Sequence, residues 1–449
     1  MVIISYSFKT ITIFGFIICL ITLVESQFKC PSIPNSQENP QTFIIQLSSP
    51  NVVNNHSAFL KSCYNKDISN NINQLIDPKI IKIISFGSFI CYIGRFNPSE
   101  AASLAILPEV VNVENDKTLH ISAPQHIRYN DYTFTQTPTE TTTEIPTETS
   151  RENPAKITTK IPAETPTETP TKTLTKISTT VKSTHTLCPL FATEPLAPTQ
   201  SPQLDRTYTY PNSAGSGVNV YIVDTGVNID NVEFGKRATL GPAFCNECPN
   251  IDDHGHGTNV AGIVGGTQYG VAKLASLISI KVCTGGGSCQ YSDIITALTY
   301  IGNQHNNSSN KNTVINISIS GGFSQITNDA VEELIKKGIH VIIAAGNNAA
   351  DACTVSPASA PNAIAVGATN TGTDITAAGN QSSTALSTYS GTSQACPHVA
   401  GTVALMISDS GNRSPAQMKT DLDNLSTKDV VTGLNASSSN RFLRVPYCQ

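Results

Sequence analysis

The amino-acid sequence predicts an α/β fold, a doubly wound and mostly parallel sheet preceded by a small α+β domain. Three observations lead to this prediction. Short apolar runs without polar alternation recur in the C-terminal half, helical stretches separate them, and a Thr/Pro/Glu-rich segment divides them from the N-terminal part. Continuous apolar runs are typical of strands buried on both faces of a parallel sheet. In such a sheet the functional site lies at the carboxyl ends of the strands.

The composition is that of a globular protein diluted by polar sequence. Of 449 residues, 39% are hydrophobic and 14% are charged, and the formal net charge is -5. The basic residues form no stripe, which argues against nucleic acid as a partner. No repeat of fixed period is visible, which excludes solenoids and propellers. The 12 Cys are too few for a disulfide scaffold but more than a reducing compartment favours.

The N-terminus carries the pattern of a secretory signal. Lys9 precedes an apolar run from Ile11 to Val24, and Glu25-Ser26-Gln27 follows the run. A short apolar segment behind a positive charge predicts a signal peptide over residues 1–26, with an uncleaved anchor as the alternative. No later segment is apolar for long enough to span a membrane. We therefore expect a secreted or cell-surface protein, with a vacuole or another secretory compartment as the alternative location.

Secretory passage would permit disulfide bonds and N-glycosylation. The glycosylation pattern N-x-[ST] is short and matches often by chance, so it only fits this route. The matching positions that we note are Asn55, Asn307, Asn424 and Asn435.

Residues 27–122 are predicted to form the small α+β domain. Phe43–Leu47 is a candidate strand, and Ser85–Phe96 is another that is rich in aromatic and β-branched residues. Pro98–Leu107 is predicted to be a helix, because Pro lies at its start and an acidic residue lies in its first turn. Val110–Val113 returns as a strand.

Residues 123–200 are predicted to be a disordered linker. Thr, Pro, Glu and Lys dominate the segment, which has too little apolar surface to offset the entropy of ordering. Ser/Thr/Pro-rich stalks of this kind carry O-glycans. The α/β domain follows over residues 201–449. Its predicted strands are Val218–Val223, Leu277–Val282, Val314–Ile319, Val341–Ala345 and Ala363–Val366, and its predicted helices are Ser292–Ile301, Ile326–Lys337 and Ser393–Ile407.

Four polar residues lie where such a sheet places its working loops. Asp224 ends the first buried strand, and His256 lies at the start of a helix of small residues. Ser393 lies in the first turn of the last long helix, where backbone N–H groups and the helix dipole favour negative charge. Asn347 follows another strand.

These residue types suit nucleophilic catalysis by a serine. A hydrolytic Ser needs a base to remove its proton, an acid that orients the base, and donors for the oxyanion. Ser393, His256, Asp224 and Asn347 supply one residue of each type. The sequence therefore predicts a serine hydrolase.

Residues from about 205 to 449 resemble the subtilisin-like serine proteases, most closely the proteinase K-like branch. The resemblance lies in motifs that follow the order of the family. The motifs are VNVYIVDTG, HGHGTNVAG, GGSCQYS, SISGGFS, AAGNN, SPASAPNAIAVGAT and GTSQACPHVAG. The family implies a secreted serine endopeptidase with Asp224, His256 and Ser393 as the catalytic triad. Asn347 and the Ser393 backbone N–H would bind the oxyanion.

The same resemblance extends to substrate, inhibitor and cofactors. The N-terminal domain resembles the family's propeptide, which inhibits its own protease and assists folding, and we expect a cut near His120–Ala123. The partners are then protein or peptide substrates and the propeptide. No cofactor is predicted; calcium stays open without an identified ligand set, because Gln381 stands where some relatives have a carboxylate. The predicted pocket lacks a carboxylate, so we expect it to prefer aromatic or aliphatic residues before the cut bond. Its residues are Ser318, Ile319, Ser320, Gly321, Ala344, Ala345 and Gly346.

The chain departs from the family pattern near the nucleophile. The segment between Thr369 and the Ser motif is shorter than in the family, Gln394 replaces the usual Met, and Ser320 replaces a Gly of the pocket strand. These departures keep a second hypothesis open, namely a catalytically impaired surface or wall pseudoprotease. A lesser alternative is an aspartic protease that pairs Asp224 with Asp409, although Asp409 follows a helical stretch.

The remaining candidates have structural interpretations. Cys245 and Cys248 form a CxxC pattern that is more often structural than redox-active or zinc-binding in this context. Cys283 and Cys289 flank a Gly-rich loop and could form a local bridge. Cys396 and His398 are expected to be packed core residues, and His254 is not expected to bind metal because no third ligand is evident.

Overall fold

A computed structural model shows the fold. It describes residues 38–64, 79–121, 190–193, 208, 210–369, 375–432, 434 and 438–443. The predicted signal peptide and most of the predicted linker lie outside the described residues. Within these ranges, no helix is long and apolar enough to cross a membrane.

The N-terminal part forms the predicted α+β domain. Its strands pair antiparallel in the order β2-β3-β1-β4, and its apolar core contains Ile45, Leu60, Phe96 and Leu104. The helix after β3 begins at Pro98, where the Asn97 N–H donates to Glu100 Oε2 at 2.9 Å, and it ends at Leu104, earlier than the sequence predicts. The elements are β1 (Gln41–Leu47), a 3₁₀ turn (Pro50–Val52), α1 (Val53–Tyr64), β2 (Ile80–Phe86), β3 (Phe89–Phe96), α2 (Pro98–Leu104) and β4 (Val110–Asn115).

The C-terminal part is built on one large sheet, which confirms the predicted fold class. Nine strands lie in the order β18-β19-β6-β15-β13-β11-β7-β9-β8, and all neighbours are parallel except β18 and β19. Every residue of β11 and β13 is buried, as is typical of central strands in a parallel sheet, and this includes the polar Thr313, Asn316 and His340. The strands are β6 (Leu190–Thr193), β7 (Asn219–Asp224), β8 (Ala238–Ala243), β9 (Ser276–Lys281), β11 (Thr313–Ile317), β13 (His340–Ala344), β15 (Ile364–Ala368), β18 (Thr427–Lys428) and β19 (Arg441–Leu443).

Helices cover both faces of this sheet. In β7, Tyr221 and Val223 join one apolar cluster, whereas Val220 and Ile222 join the other, because successive side chains point to opposite faces. Helices α4 and α5 pack on the first face, and α3 and α6 pack on the second. The helices are α3 (His256–Gly265), α4 (Tyr291–Asn307), α5 (Gln325–Lys336), α6 (Thr392–Ser410) and α7 (Pro415–Leu425), with 3₁₀ turns at Val232–Phe234 and Ala352–Thr354.

Strand β6 lies within the range that the sequence assigns to the linker. It pairs in parallel with β15 and β19, so the sheet takes one strand from N-terminal to residue 201. The division of the chain into signal peptide, propeptide, linker and catalytic domain stays a prediction.

Among the described residues, three further pairs of short strands lie outside the large sheet. β5 (Thr118–His120) leaves the N-terminal domain and pairs antiparallel with β10 (Ser288–Gln290), which belongs to the C-terminal part. β12 (Gly321–Gly322) pairs with β14 (Val355–Ser356), and β16 (Ile375–Ala378) pairs with β17 (Leu386–Tyr389).

The N-terminal domain sits against α4 and α5. Polar contacts join its sheet to these two helices, and two of them reach backbone N–H groups at helix starts. The contacts are Gln46 Nε2 to Asp329 Oδ2 (2.9 Å), Ser88 N–H to Glu333 Oε1 (3.0 Å), Ile326 N–H to Glu114 Oε1 (3.1 Å) and Ser292 N–H to Asp116 Oδ1 (3.0 Å).

Candidate active site

Asp224 and His256 form a buried hydrogen-bonded pair. Asp224 is the last residue of β7 and His256 is the first residue of α3. Asp224 is 0% exposed and His256 is 3% exposed, and the Nδ1 atom of His256 lies 2.7 Å from Oδ1 of Asp224. The same oxygen accepts the Thr225 N–H at 2.7 Å. Because Asp224 occupies Nδ1, the imidazole has Nε2 left for proton transfer.

The environment of His256 favours its protonated form. Burial alone would lower the pKa of His256, but the charge of Asp224 and its hydrogen bond outweigh burial and raise the pKa above the ordinary 6.5. Asp252 raises the pKa further by its charge. The site is therefore built to stabilise an imidazolium that forms next to Asp224.

Two glycines allow β7 and α3 to approach this closely. A Cβ on Gly257 would lie 2.1 Å from the carbonyl oxygen of Gly226, which no real contact permits. Gly226 itself has φ of +109°, in the region that favours glycine. Larger residues at these positions would separate Asp224 from His256.

Asp252 organises the loop before His256, and sequence reasoning missed it. Its Oδ1 accepts the Gly255 N–H (2.8 Å) and the Thr225 hydroxyl (2.9 Å), and its Oδ2 accepts the Thr258 N–H (2.9 Å). A buried carboxylate with this many donors fixes the chain on both sides of His256. An Asp shortly before a Gly-containing turn was the available signal, because Asp commonly accepts backbone N–H groups in turns.

His254 lies beside His256, and the charge of Asp224 acts on both rings. The two rings are 6.2 Å apart between centroids, and the His256 N–H donates to His254 Nδ1 at 3.3 Å. Burial, together with the nearby His256, lowers the pKa of His254. Across the described ranges, no group of three or more His, Cys, Asp or Glu side chains is arranged to hold a metal ion.

Ser393 lies at the start of α6 and contacts the strand-end loop after β11. It is 9% exposed, and its Oγ donates to the carbonyl oxygen of Ser318 at 3.1 Å. The Ser318 hydroxyl donates back to the Ser393 carbonyl oxygen at 2.9 Å and accepts from Asn316 Nδ2 at 3.0 Å. The structure thus hydrogen-bonds Asp224 to His256 but directs the Ser393 hydroxyl to Ser318. In free enzymes the bond between nucleophile and base is often long or poorly aligned.

Asn347 is exposed and tied to the same helix start. Its Oδ1 accepts the Thr392 N–H at 2.9 Å and the Thr392 hydroxyl at 3.0 Å. These bonds orient the amide, and its Nδ2 makes no hydrogen bond within the described part of the chain. Because Asn347 is bonded to the residue before Ser393, its oriented amide N–H₂ can donate to an oxygen near Ser393 that becomes negatively charged.

The predicted pocket residues lie in two segments at the ends of neighbouring strands. Ser318–Gly321 follows β11, and Ala344–Gly346 begins with the last residue of β13. Strands β11 and β13 are adjacent in the sheet. The Ser320 Oγ atom lies only 3.0 Å from the position of a Cβ on Gly346. The Ser320 side chain therefore occupies space between the two segments, which a glycine at position 320 would leave open.

Three further side chains clarify the neighbourhood. Tyr389, which sequence reasoning missed, has its ring centroid 6.3 Å from that of His256. Gln394 Nε2 donates to Asn259 Oδ1 at 3.3 Å, so it links α6 to α3. His398 donates through Nδ1 to the Gln394 carbonyl oxygen at 2.7 Å, and burial lowers its pKa, as expected for a packed histidine.

The aspartic protease alternative finds no support in the geometry. Asp409 lies at the exposed C-terminal end of α6, about 24 Å along the helix axis from Ser393 at 1.5 Å per residue. It does not lie on a β loop, which that class of site requires.

The cysteines near the site form two local bridges. Cys283 is bonded to Cys289, and Cys245 is bonded to Cys248. Cys396 is a buried free thiol whose Sγ donates to Asn316 Oδ1 at 3.2 Å. Burial raises its pKa, which keeps it a thiol.

A parallel sheet with a buried Asp–His pair at one strand end and a Ser at a facing helix start defines a class, the α/β proteins with the residues of a serine hydrolase. The family follows from the sequence. The profile of the Subtilase family, Peptidase_S8, matches residues 215–440, which is half of the chain. The chain belongs to this family.

Curated relatives carry the same family in their names. Subtilisin-like protease 2 of Pseudogymnoascus destructans is 38% identical over 257 residues, covering 52% of this chain and 64% of that protein. Subtilisin-like protease 2 of Trichophyton equinum is 42% identical over 244 residues, covering 50% of this chain and 58% of that protein. The chain thus spans less than two thirds of the length of either relative.

A solved structure has the same fold. The crystal structure of a cold adapted subtilisin-like serine proteinase matches with a TM-score of 0.50 and 34% sequence identity. The match covers 55% of this chain and 94% of that one.

Proposed function

We propose that the chain is a serine endopeptidase that enters the secretory route as a zymogen and hydrolyses peptide bonds with Asp224, His256 and Ser393. The observation that carries the proposal is the buried hydrogen bond between His256 Nδ1 and Asp224 Oδ1 at the sheet edge where Ser393 begins a helix. Family membership and the names of the relatives support it.

Each side chain has one task in this reaction. His256 Nε2 takes the proton of the Ser393 hydroxyl while Ser393 Oγ bonds the carbonyl carbon of the substrate. His256 then gives that proton to the leaving amine, and water cleaves the acyl-enzyme by the same steps. Asp224 holds the imidazole in the required tautomer and stabilises the imidazolium. Asn347 Nδ2 and the Ser393 N–H donate to the oxyanion.

The N-terminal domain acts as the propeptide in this proposal. Its seat on α4 and α5 supports the role, and so does β5, which adds to β10 as an extended substrate would. The Ile121 N–H donates to the Gly287 carbonyl oxygen at 2.8 Å, so the chain remains in this edge up to the predicted cleavage range of His120–Ala123. The cut releases the inhibiting strand from the site.

The pocket residues favour apolar side chains before the cut bond. None of the residues in Ser318–Gly321 or Ala344–Gly346 is charged, so nothing there neutralises Lys or Arg. Aromatic or aliphatic residues are the preferred class, and a peptide library cleaved only after Arg or Lys would contradict this preference.

The test compares the full chain with its Ser393→Ala variant. The wild type is expected to lose its N-terminal domain during expression and to react with a fluorophosphonate at Ser393. The variant is expected to fold, to stay uncut and to take no label. If the wild type and the Ser393→Ala variant lose the N-terminal domain to the same extent, autocatalytic processing is refuted.

A pseudoprotease is the second candidate. The Ser393 hydroxyl donates to Ser318 rather than to His256, and this contact favours an inactive arrangement. Fluorophosphonate labelling separates the two candidates. A folded and processed chain that takes no label at Ser393, under conditions that label an active subtilase, would establish the pseudoprotease.

A further inference from the structure

The disulfide between Cys283 and Cys289 links the segment next to β7, the strand that ends at Asp224, to β10. Cys283 is 0% exposed and Cys289 is 1% exposed. The backbone N–H groups of Val282 and Cys283 both donate to the carbonyl oxygen of Asp224, at 2.9 and 3.3 Å. One end of the disulfide is therefore fixed to the strand that carries the proposed catalytic acid.

The other end belongs to the strand that receives an extended chain. Cys289 is the central residue of β10 and pairs with Leu119 of β5, and Ser288 pairs with His120. The Ile121 N–H continues the ladder by donating to the Gly287 carbonyl oxygen. Backbone positions 287–290 thus determine where an extended peptide lies.

The loop that the disulfide closes is a tight turn rich in glycine, and Cys283 and Cys289 also form an antiparallel β-bridge at its base. Gly285, Gly286 and Gly287 lie inside the loop. A Cβ on Gly285 would lie 2.8 Å from Asp253, whereas a Cβ on Gly286 would meet nothing closer than 3.8 Å. Its internal hydrogen bonds join Thr284 and Ser288 in both directions and Gly287 to Thr284. Glycine-rich backbone has the largest conformational freedom to lose, so this edge would fluctuate without a covalent restraint.

We propose that the Cys283–Cys289 disulfide is a positioning element for substrate, which holds β10 in register with extended peptides relative to Asp224. The inference rests on the proposed proteolytic function and deepens it. It assigns the disulfide to recognition of the extended residues that precede the cut bond, as Leu119 precedes the predicted cleavage range in the uncut chain. The preferred substrate is then an extended peptide rather than a short one.

The decisive experiment measures how activity depends on substrate length. The double variant Cys283→Ser/Cys289→Ser is compared with Cys245→Ser/Cys248→Ser, which removes a bridge that is not in β10. Chromogenic peptides carry one to four residues before the cut bond. In the first variant the advantage of the longest peptide over the shortest should fall about tenfold, mainly through KM, as loss of one or two ordinary hydrogen bonds would cause.

The control variant should keep the wild-type length dependence even if its overall activity falls. Equal losses for short and long peptides in the Cys283→Ser/Cys289→Ser variant would overturn the proposal, as would no change. If that variant fails to fold, two glycines inserted between Gly285 and Gly286 lengthen the loop but keep the bridge. The length dependence should then stay within about twofold of wild type, because a surface insertion does not loosen a bridged strand. Its collapse would mean that the loop and not the disulfide holds the edge.

A second measurement does not need proteolytic activity. In the uncut Ser393→Ala chain, amide hydrogen exchange at Leu119 and Ile121 should accelerate about tenfold when the two cysteines are also replaced. Unchanged exchange would overturn the positioning role. A wild-type chain that cleaves no peptide, combined with accelerated exchange in this experiment, would refute the proposed function and leave the positioning of the bound strand supported.

Discussion

A pair of carboxyl groups at the domain junction should make the attachment of the N-terminal domain depend on pH. Asp116 of the N-terminal domain accepts the Ser292 N–H at 3.0 Å and the Ser292 hydroxyl at 2.6 Å. The next residue, Asp293, lies in the first turn of α4 and is half-buried. Burial, together with the charge of the neighbouring Asp116, raises the pKa of Asp293 to about 7, and Lys82 opposes the rise only partly.

The sign of the effect follows from the protonated form being favoured in the assembled state. Burial also raises the pKa of Asp116, against its hydrogen bonds to Ser292. Attachment is then strongest below the ordinary carboxyl pKa of 3.8, and it weakens as the pH rises toward about 7. Lys82 on β2 is a further charged group that acts on this pair, through its interaction with Asp293.

Replacing Asp293 by Asn should remove the part of this pH dependence that Asp293 contributes. A rise in pKa of this size would correspond to about 4 kcal/mol if fully expressed, and solvent access to the half-buried group reduces the expected effect to about 1–2 kcal/mol. In the uncut Ser393→Ala background, Asp293→Asn should therefore raise the free energy of unfolding by about 1–2 kcal/mol at pH 8. It should have no effect near pH 4, where Asp293 is already neutral.

The assay is chemical denaturation of the two full-length chains between pH 4 and pH 8. Asp329→Asn is the matched control, because Asp329 lies at the same junction but accepts hydrogen bonds from Gln46 and Gln325. The control should gain no stability at pH 8. An Asp293→Asn chain that is equally or less stable than its parent at pH 8 would refute the reasoning.

Three further predictions concern the active site. Asn347→Ala should lower kcat by about 10²–10³ with little change in KM, since loss of the corresponding donor in subtilisin costs ~2.7–4 kcal/mol, and a change confined to KM would contradict its role. Asp252→Asn should move the acidic limb of the kcat/KM profile to lower pH, because the charge of Asp252 helps to raise the pKa of His256 and the base must be neutral; an unmoved limb would contradict this. Ser320→Gly should raise kcat/KM for peptides with an aromatic residue before the cut relative to those with Ala, because it removes the hydroxyl that faces Gly346; an unchanged ratio would show that Ser320 does not limit the pocket.

Much of the fold could be predicted because the signals are local. Mostly apolar runs predicted the buried strands β7, β9, β11, β13 and β15 within a few residues, although Ser279 and Asn316 interrupt two of them, since strands buried on both faces are mainly apolar. Strand β6 could not be predicted. Its four residues follow a long polar segment, and they form a strand only because β15 and β19 offer partners on both sides.

The candidate site divides in the same way. Motifs that end strands or begin helices identified Asp224, His256, Ser393 and Asn347 as candidates, because strand ends and helix starts are placed by local sequence. Tyr389 could not be predicted, since its contact with His256 joins residues that are distant along the chain. Asp252 was missed although its contact with Gly255 is local.

The sequence by itself determined the family, the five strands with apolar runs and the main helices, and the residue types of the site, because these depend on neighbouring residues and on motifs. Only the tertiary structure decided that Asp224 and His256 bond to each other while Ser393 turns to Ser318, and that Asp116 meets Asp293 across the domain junction. These pairings join side chains that are distant along the chain. Their distances are set by the packing of the helices on the sheet, which no local pattern encodes.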